Sequence, residues 1–476
     1  MMRSSKFQRI KAQESSIEQD LHKRALRFLS LTVFALMGAP LMNIYIGPVP
    51  LYAIDLLAFM TWVFGNQIPS TRRYPLHGFV IFILIAMFVS ELTAGLLLGT
   101  LLQPIYLIAR TLLAISLFFS TSRIIQSKSD LITLMKAGLL GALVTATLMV
   151  TSSLPPTQGL VARRIFSYSF LMPSAENVAA KYGFAGVALR GHSLVGISIL
   201  SAAFLNTIWP MLFLLRTDKN LSARWRLATL LAIILIPLGV VMSYSRGAIA
   251  GLVMIVLIVV LLNSNKVRGP VVIGVGIMIL VFSWVGWGSE YFKFEWLQWK
   301  TEYQFANVNT TDDMTARIYS YSDPFQLVLN DPFFIFLGQG RARYKISGAP
   351  TLLQDITADH AVFSSATYSY GMLAAFAYIA LLLGAFRITW RHAWGEKGEF
   401  LTTFSRAMLA GLFGFSSWFI LGDAAIAEPR GAMLLFFVFG LVTAQSNFAD
   451  SPVPERQKED SHRKFANRPA LQKYRR

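Results

Sequence analysis

The chain has 476 residues, 54% of them hydrophobic and only 14% charged, with a formal net charge of +18. Soluble domains average about 25% charged residues, so a surface wetted on every side is excluded and much of this one faces lipid. There is no cysteine, which excludes disulfides and thiolate metal sites.

The basic residues sit in short clusters between apolar runs. That is the positive-inside pattern of a polytopic protein, so membrane topology accounts for the charge and no nucleic-acid partner is implied. Residues 1–25 are polar and basic and read as a disordered cytoplasmic arm. Apolar runs follow at 26–46, 51–65, 76–97, 101–121, 131–151, 191–215, 225–243, 247–263, 269–287, 361–386, 404–422 and 431–447. About 20 apolar residues are needed to cross the hydrocarbon, so the expected fold is all-α, with about twelve transmembrane helices in a membrane domain over 26–447. The tail 448–476 is basic, holds Pro452 and Pro454, and has too few apolar residues to fold.

Lys and Arg also orient the chain. The loops QIPSTRRYP, STSRIIQSKSD, RTDKNLSARWR, NSNKVRG and RITWRHAWGEKGEF each carry at least two basic residues and are expected inside, with both termini. Two larger loops, 152–190 and 288–360, then face outward. The second lies between the ninth and tenth spans and collects the charged, aromatic and turn residues that a catalytic surface needs.

Ionisable residues inside spans cost roughly 2.5–3.5 kcal/mol each near the helix centre. Glu91 and Arg110 flank a short turn near Thr100, each about nine residues from the bend, at about 1.5 Å of rise per residue. They are expected to reach similar depth and to pair, either as a structural ion pair or as a polar wall of a cavity. Asp55, near the outer end of the second span, is expected to face a cavity rather than lipid.

The loop 152–190 sets Arg163, Arg164, Lys181 and Arg190 among Phe166, Tyr168, Phe170 and Tyr182. Two readings stand for it: anchoring at headgroup depth, or attraction of an anionic lipid-borne substrate. His192 follows in RGHSLVG, where capping or packing suits it. In MSYSRGAIAGL, Arg246 has almost no loop to snorkel along, and Gly247 and Gly251 permit close approach. Its guanidinium is either an interfacial anchor or a forked donor to phosphate oxygens.

In the long loop, Tyr291, Phe292, Phe294, Trp296, Trp299 and Tyr303 predict an interfacial helix. A second helical region is predicted over 315–330, with Arg317 near its start and Asp323-Pro324 suited to a cap and first turn. Asp331-Pro332 breaks it. Gly338-Gln339-Gly340 then makes a tight turn leading to Arg341 and Arg343, with no P-loop lysine after it. His360 closes the loop just before an apolar run. At a helix N-terminus the macrodipole favours neutral imidazole, which suits a general base, although a simple cap is an equal reading. There is no HExxH and no second histidine in this loop, so no metal and no cofactor are expected.

SYSRGAIAGL, the outward loop with Arg317 and its LGQG turn, and DHAVFSSATYSYG opening a span together resemble the O-antigen ligase/polymerase superfamily. The resemblance covers roughly 190–385. It implies a metal-independent bacterial inner-membrane glycosyltransferase whose donor is a polyprenyl-diphosphate-linked oligosaccharide. It further implies that Arg246 and Arg317 hold the diphosphate and that His360 serves the acceptor hydroxyl. Where the family has an Asn after the histidine, this chain has Ala361. The first reading is polymerisation of surface-polysaccharide repeat units, as in exopolysaccharide or O-antigen synthesis. A ligase acting on a lipid A core is its close relative, and a lipid-linked glycan transporter or flippase is the rival from another class. A flippase and chain-length or export proteins are the expected protein partners.

Overall fold

The computed structural model describes residues 2–46, 49–68, 74–99, 101–154, 165, 191–195, 198–218, 220–243, 245–262, 325–340, 362–394, 399–421 and 429–449. Helices dominate it. The basic arm expected to be disordered is instead the start of α1 (Met2–Gly38). From Met2 to Met37 the sequence has neither Pro nor Gly to interrupt a helix. A hairpin of β1 (Asn43–Ile46) and β2 (Val49–Tyr52) follows, antiparallel with Asn43 opposite Tyr52. It takes up residues expected at the ends of the first two spans. Tyr, Ile and Val favour strand there.

Four helices come next: α2 (Ala53–Asn66), α3 (His77–Leu98), α4 (Leu102–Ile124) and α5 (Lys128–Ser153). α3 stops at Gly99, whose φ of 67° is the left-handed turn that closes many helices. α5 starts with a reciprocal capping box: Asp130 N–H donates to the Ser127 hydroxyl, and Ser127 N–H donates to the Asp130 carboxylate. Then come α6 (Ser198–Leu212), α7 (Leu214–Thr217), α8 (Ala223–Met242) and α9 (Arg246–Leu262). After a short 3-10 turn at Pro332–Ile335, the chain ends in α10 (Val362–Tyr370), α11 (Met372–Ala393), α12 (Glu399–Leu421) and α13 (Pro429–Ala449).

Among the described residues, five helices are long and apolar enough to cross a membrane. They lie in α3, α4, α5, α8 and α11, and four shorter apolar helices accompany them. The expected run at 269–287 lies outside the described residues. α3 exposes Phe79, Phe82, Ile85, Phe88 and Val89 along one side. Such a face is costly in water and neutral in hydrocarbon. This is a membrane protein.

The core forms where helices are apolar all round. In α13 the run Leu434, Leu435, Phe436, Phe437, Val438 and Phe439 is buried on every side, which marks a central helix. Its broadest contact is with α4, where the Ser122 hydroxyl donates to Gly440 O at 3.1 Å. α1 and α5 approach most closely at Gly141, where a Cβ would fall 2.6 Å from Phe34 O.

The loop ends sort into two sets. At one end His22 meets Asp130, Arg123 meets Asn66, and Arg406 donates to Ala393 O. At the other lie the hairpin, the start of α2, the turn between α3 and α4, the end of α5, and the junction of α8 and α9.

Candidate active site

The hairpin end is rich in side chains that hold backbone. At the α8–α9 junction the Ser243 hydroxyl donates to Val240 O at 2.6 Å and accepts from Ser245 N at 3.1 Å. The Ser245 hydroxyl in turn accepts from Ala248 N. A buried Asn206 on α6 donates to Ala248 O at 2.7 Å. Together these fix the first turn of α9, and Arg246 is its first residue. The free N–H groups and positive dipole of a helix start favour an anion.

Residues 191–195 form a strap across three helices. Gly191 N–H donates to Met242 O at 2.7 Å, joining the strap to the end of α8. His192 N–H donates to the Ser152 hydroxyl on α5 at 2.7 Å. Arg430, in the first turn of α13 and buried, donates to Val195 O. His192 therefore sits in a packed strap, as expected, and is not itself helical. Sequence reasoning missed Arg430. Its signal was available, because it is a basic residue in a loop expected outside, against the charge rule.

The turn Gly338–Gly340 lies between α3 and the break between α10 and α11. Gly338 N–H donates to the Ser90 hydroxyl of α3 at 3.3 Å. Gln339 and Gly340 N–H donate to Tyr368 O and Ser369 O at 2.8 and 3.0 Å. A Cβ on Gly338 would fall 2.2 Å from the Ser369 carbonyl carbon, and one on Gly340 (φ +70°) 2.5 Å from Ala94 Cβ. A Cβ on Gly371, at φ +95°, would fall 2.8 Å from Leu337 N. The expected span at 361–386 is thus two helices, α10 and α11, with Gly371 at the break. As expected, Asp331-Pro332 ends the preceding helical stretch, and Asp331 caps the 3-10 turn by accepting from Phe333 N. The Phe325 ring packs tilted against Phe363 of α10, ring centroids 5.6 Å apart.

Arg110 and Glu91 are both buried, at 8% and 0% exposure. The carboxylate set on Arg110, however, is that of Asp55 and not the expected Glu91. Arg110 Nε lies 3.0 Å from Asp55 Oδ2, and Nη2 donates to Oδ1 at 3.3 Å. The Tyr52 ring lies 4.3 Å from the guanidinium carbon and the Tyr106 ring 5.7 Å. Asp55, 5% exposed, does face inward as expected. Similar depth on α3 and α4 did not make a pair, because Arg110 is turned toward α2 and the hairpin. Removing one partner of a buried pair costs about 3–5 kcal/mol in soluble proteins. We therefore expect Asp55→Asn and Arg110→Gln each to lower thermal stability strongly, and the double variant to cost clearly less than the sum. Strict additivity in thermal unfolding of the detergent-solubilised protein would mean that the two side chains do not interact.

Of the other expected site residues, Arg190, Arg317, Arg341, Arg343 and His360 lie outside the described residues, and Arg246 is described in its backbone alone. Their flanks are described. The nearest described residues are Gly191, Gly340 and Val362.

No curated protein matches this chain. Residues 230–379 match the O-antigen ligase family, a segment that holds Arg246, Arg317, Arg341, Arg343 and His360. That match supports, over this segment, the resemblance to the O-antigen ligase/polymerase superfamily.

Proposed function

We propose that the protein is a glycosyltransferase of the bacterial inner membrane that transfers or polymerises polyprenyl-diphosphate-linked glycan units on the outer face. The observation that carries this reading is that one family-matched segment, 230–379, contains Arg246, Arg317 and His360 together. The family supports a ligase- or polymerase-type role in O-antigen-related synthesis. The fixed first turn of α9, with Arg246 at its head, suits a diphosphate.

The chemistry follows from the donor. A sugar on a lipid diphosphate already has a good leaving group. His360 takes the proton of the acceptor hydroxyl as that oxygen bonds to the anomeric carbon. The bond from that carbon to the diphosphate breaks, and the charge gathered on the departing diphosphate meets the guanidinium groups of Arg246 and Arg317. No nucleotide and no metal take part. The lipid tail lies between helices, with the glycan in the aqueous space under the 288–360 loop, and both chain termini are cytoplasmic.

The test is transfer by the purified protein with a defined lipid-diphosphate glycan, with and without a lipid A core. Chain growth without the core supports polymerisation, and transfer only with it makes the protein a ligase. Movement of the lipid-linked glycan across vesicles with no bond formed would overturn the reading in favour of a flippase.

A further inference from the structure

α11 shows one face to the outside along its length. Leu373, Phe376 and Leu383 are exposed on it, and Arg387, Trp390, Arg391 and Trp394 continue it to the C-terminal end. At about 100° per residue, all of them fall within an arc of roughly 100°. The first three cover about 15 Å of helix rise, half of the roughly 30 Å of hydrocarbon in a bilayer. Beyond them the face changes character. Phe386, Arg387, Trp390 and Arg391 line an open groove of about 550 Å³, within the roughly 300–1,000 Å³ of ligand sites. The Phe386 ring is backed by Phe413 of α12, centroids 4.9 Å apart, and Trp390 and Trp394 stack at 4.1 Å. Among the described residues, no carboxylate pairs with Arg387 or Arg391.

We propose that this end of α11 binds one anionic phospholipid, with the phosphate on Arg387 and Arg391 and the acyl chains along Leu373, Phe376 and Leu383. Charge complementarity names the headgroup. Arg387 and Arg391 stand four residues apart, where helix side chains are neighbours, so both guanidinium forks reach one phosphate. The C-terminal dipole of α11 opposes an anion by about half an elementary charge, and the two arginines outweigh it. The apolar stripe names the lipid. A soluble phosphate would use the arginines alone, whereas the Trp390–Trp394 pair suits headgroup depth and the aliphatic and aromatic side chains beyond it continue into hydrocarbon. A zwitterionic lipid brings an ammonium that the arginines repel. The site lies at the end where Arg406 meets Ala393, opposite the hairpin and the α8–α9 junction, so it does not rest on the glycosyl-transfer reading.

The experiment measures binding to the full-length protein in detergent, by native mass spectrometry and thermal unfolding. The probes are phosphatidylglycerol, phosphatidylcholine and inorganic phosphate. Phosphatidylglycerol is expected to stay bound and to raise the unfolding temperature, and the other two to do neither. In Arg387→Gln/Arg391→Gln its affinity is expected to fall about 30-fold, the worth of two basic residues at an anionic surface. The lipid-free unfolding temperature should not change, because both side chains are exposed. Arg24→Gln/Arg27→Gln removes the same charge from exposed positions on α1, beside His22 at the same end, and is expected to leave the affinity as it was. Should the α11 double variant fold poorly, Arg387→Gln and Arg391→Gln decide singly, each with a loss of about fivefold. An equal loss in the α1 variant reduces the effect to general charge attraction and overturns the site. Equal binding of phosphatidylcholine, or equal stabilisation by phosphate alone, overturns the anionic lipid as occupant. If phosphatidylglycerol does not bind and the α11 variant instead splits a dimer of the purified protein, the face belongs to a second copy and the lipid site falls.

Discussion

His360→Ala is expected to lower single-turnover glycan transfer about 10²–10⁴-fold, the usual worth of general-base assistance, while lipid-diphosphate binding stays nearly intact. The split follows from when the residue acts. An imidazole that takes the acceptor proton contributes only as the new bond forms, so its loss appears in turnover and not in donor affinity. Donor binding measured apart from transfer checks this. A variant with wild-type turnover would falsify the base assignment, and a loss of only a few-fold would be too small for it. Transfer is expected to persist in EDTA. Abolition by the chelator would reveal a metal in the mechanism.

The arginines should behave differently, because the charge that they meet is present in the bound donor and grows as the diphosphate departs. Arg246→Ala and Arg317→Ala are each expected to weaken donor binding and to lower turnover about 10²–10³-fold, the scale seen when one donor to a developing oxyanion is removed. Lysine at either position keeps the charge but loses the two-pronged donor geometry. Partial activity should therefore survive in Arg246→Lys and Arg317→Lys, with much of the binding restored. Donor titration and single-turnover transfer on the four variants decide the point. Alanine variants that bind donor as well as the starting protein would take the diphosphate contact away from these residues.

Much of this protein was legible before any coordinates. A charged fraction of 14% and long apolar runs imply lipid contact, because too few polar side chains exist to cover the chain in water. Position along a span was legible too, since each residue adds a fixed rise. Asp55 was expected to face a cavity rather than lipid, and it is buried, as are Glu91 and Arg110. The order of Arg246, Arg317 and His360 about two loops carried the family, which the match over 230–379 then bore out.

What the linear pattern lacked was rotation about each helix axis and the identity of the neighbour met there. Glu91 and Arg110 stand at similar depth, yet Arg110 turns to Asp55, Tyr52 and Tyr106. A side chain's direction advances about 100° per residue, and only the packing of α4 against α2 and α13 chooses which one faces a partner. Arg430 and the Ser90–Gly338 contact were hidden for the same reason. Each joins segments far apart in the chain, 235 residues for Arg430 and Val195 and 248 for Ser90 and Gly338. The N-terminal arm erred in the opposite direction. Its polarity suggested disorder, whereas an unbroken run of residues without Gly or Pro carries α1 through it. Depth, hydropathy and local backbone propensity belong to the sequence. Which buried groups meet belongs to the tertiary structure, because it depends on helix rotation and long-range packing that no local pattern encodes.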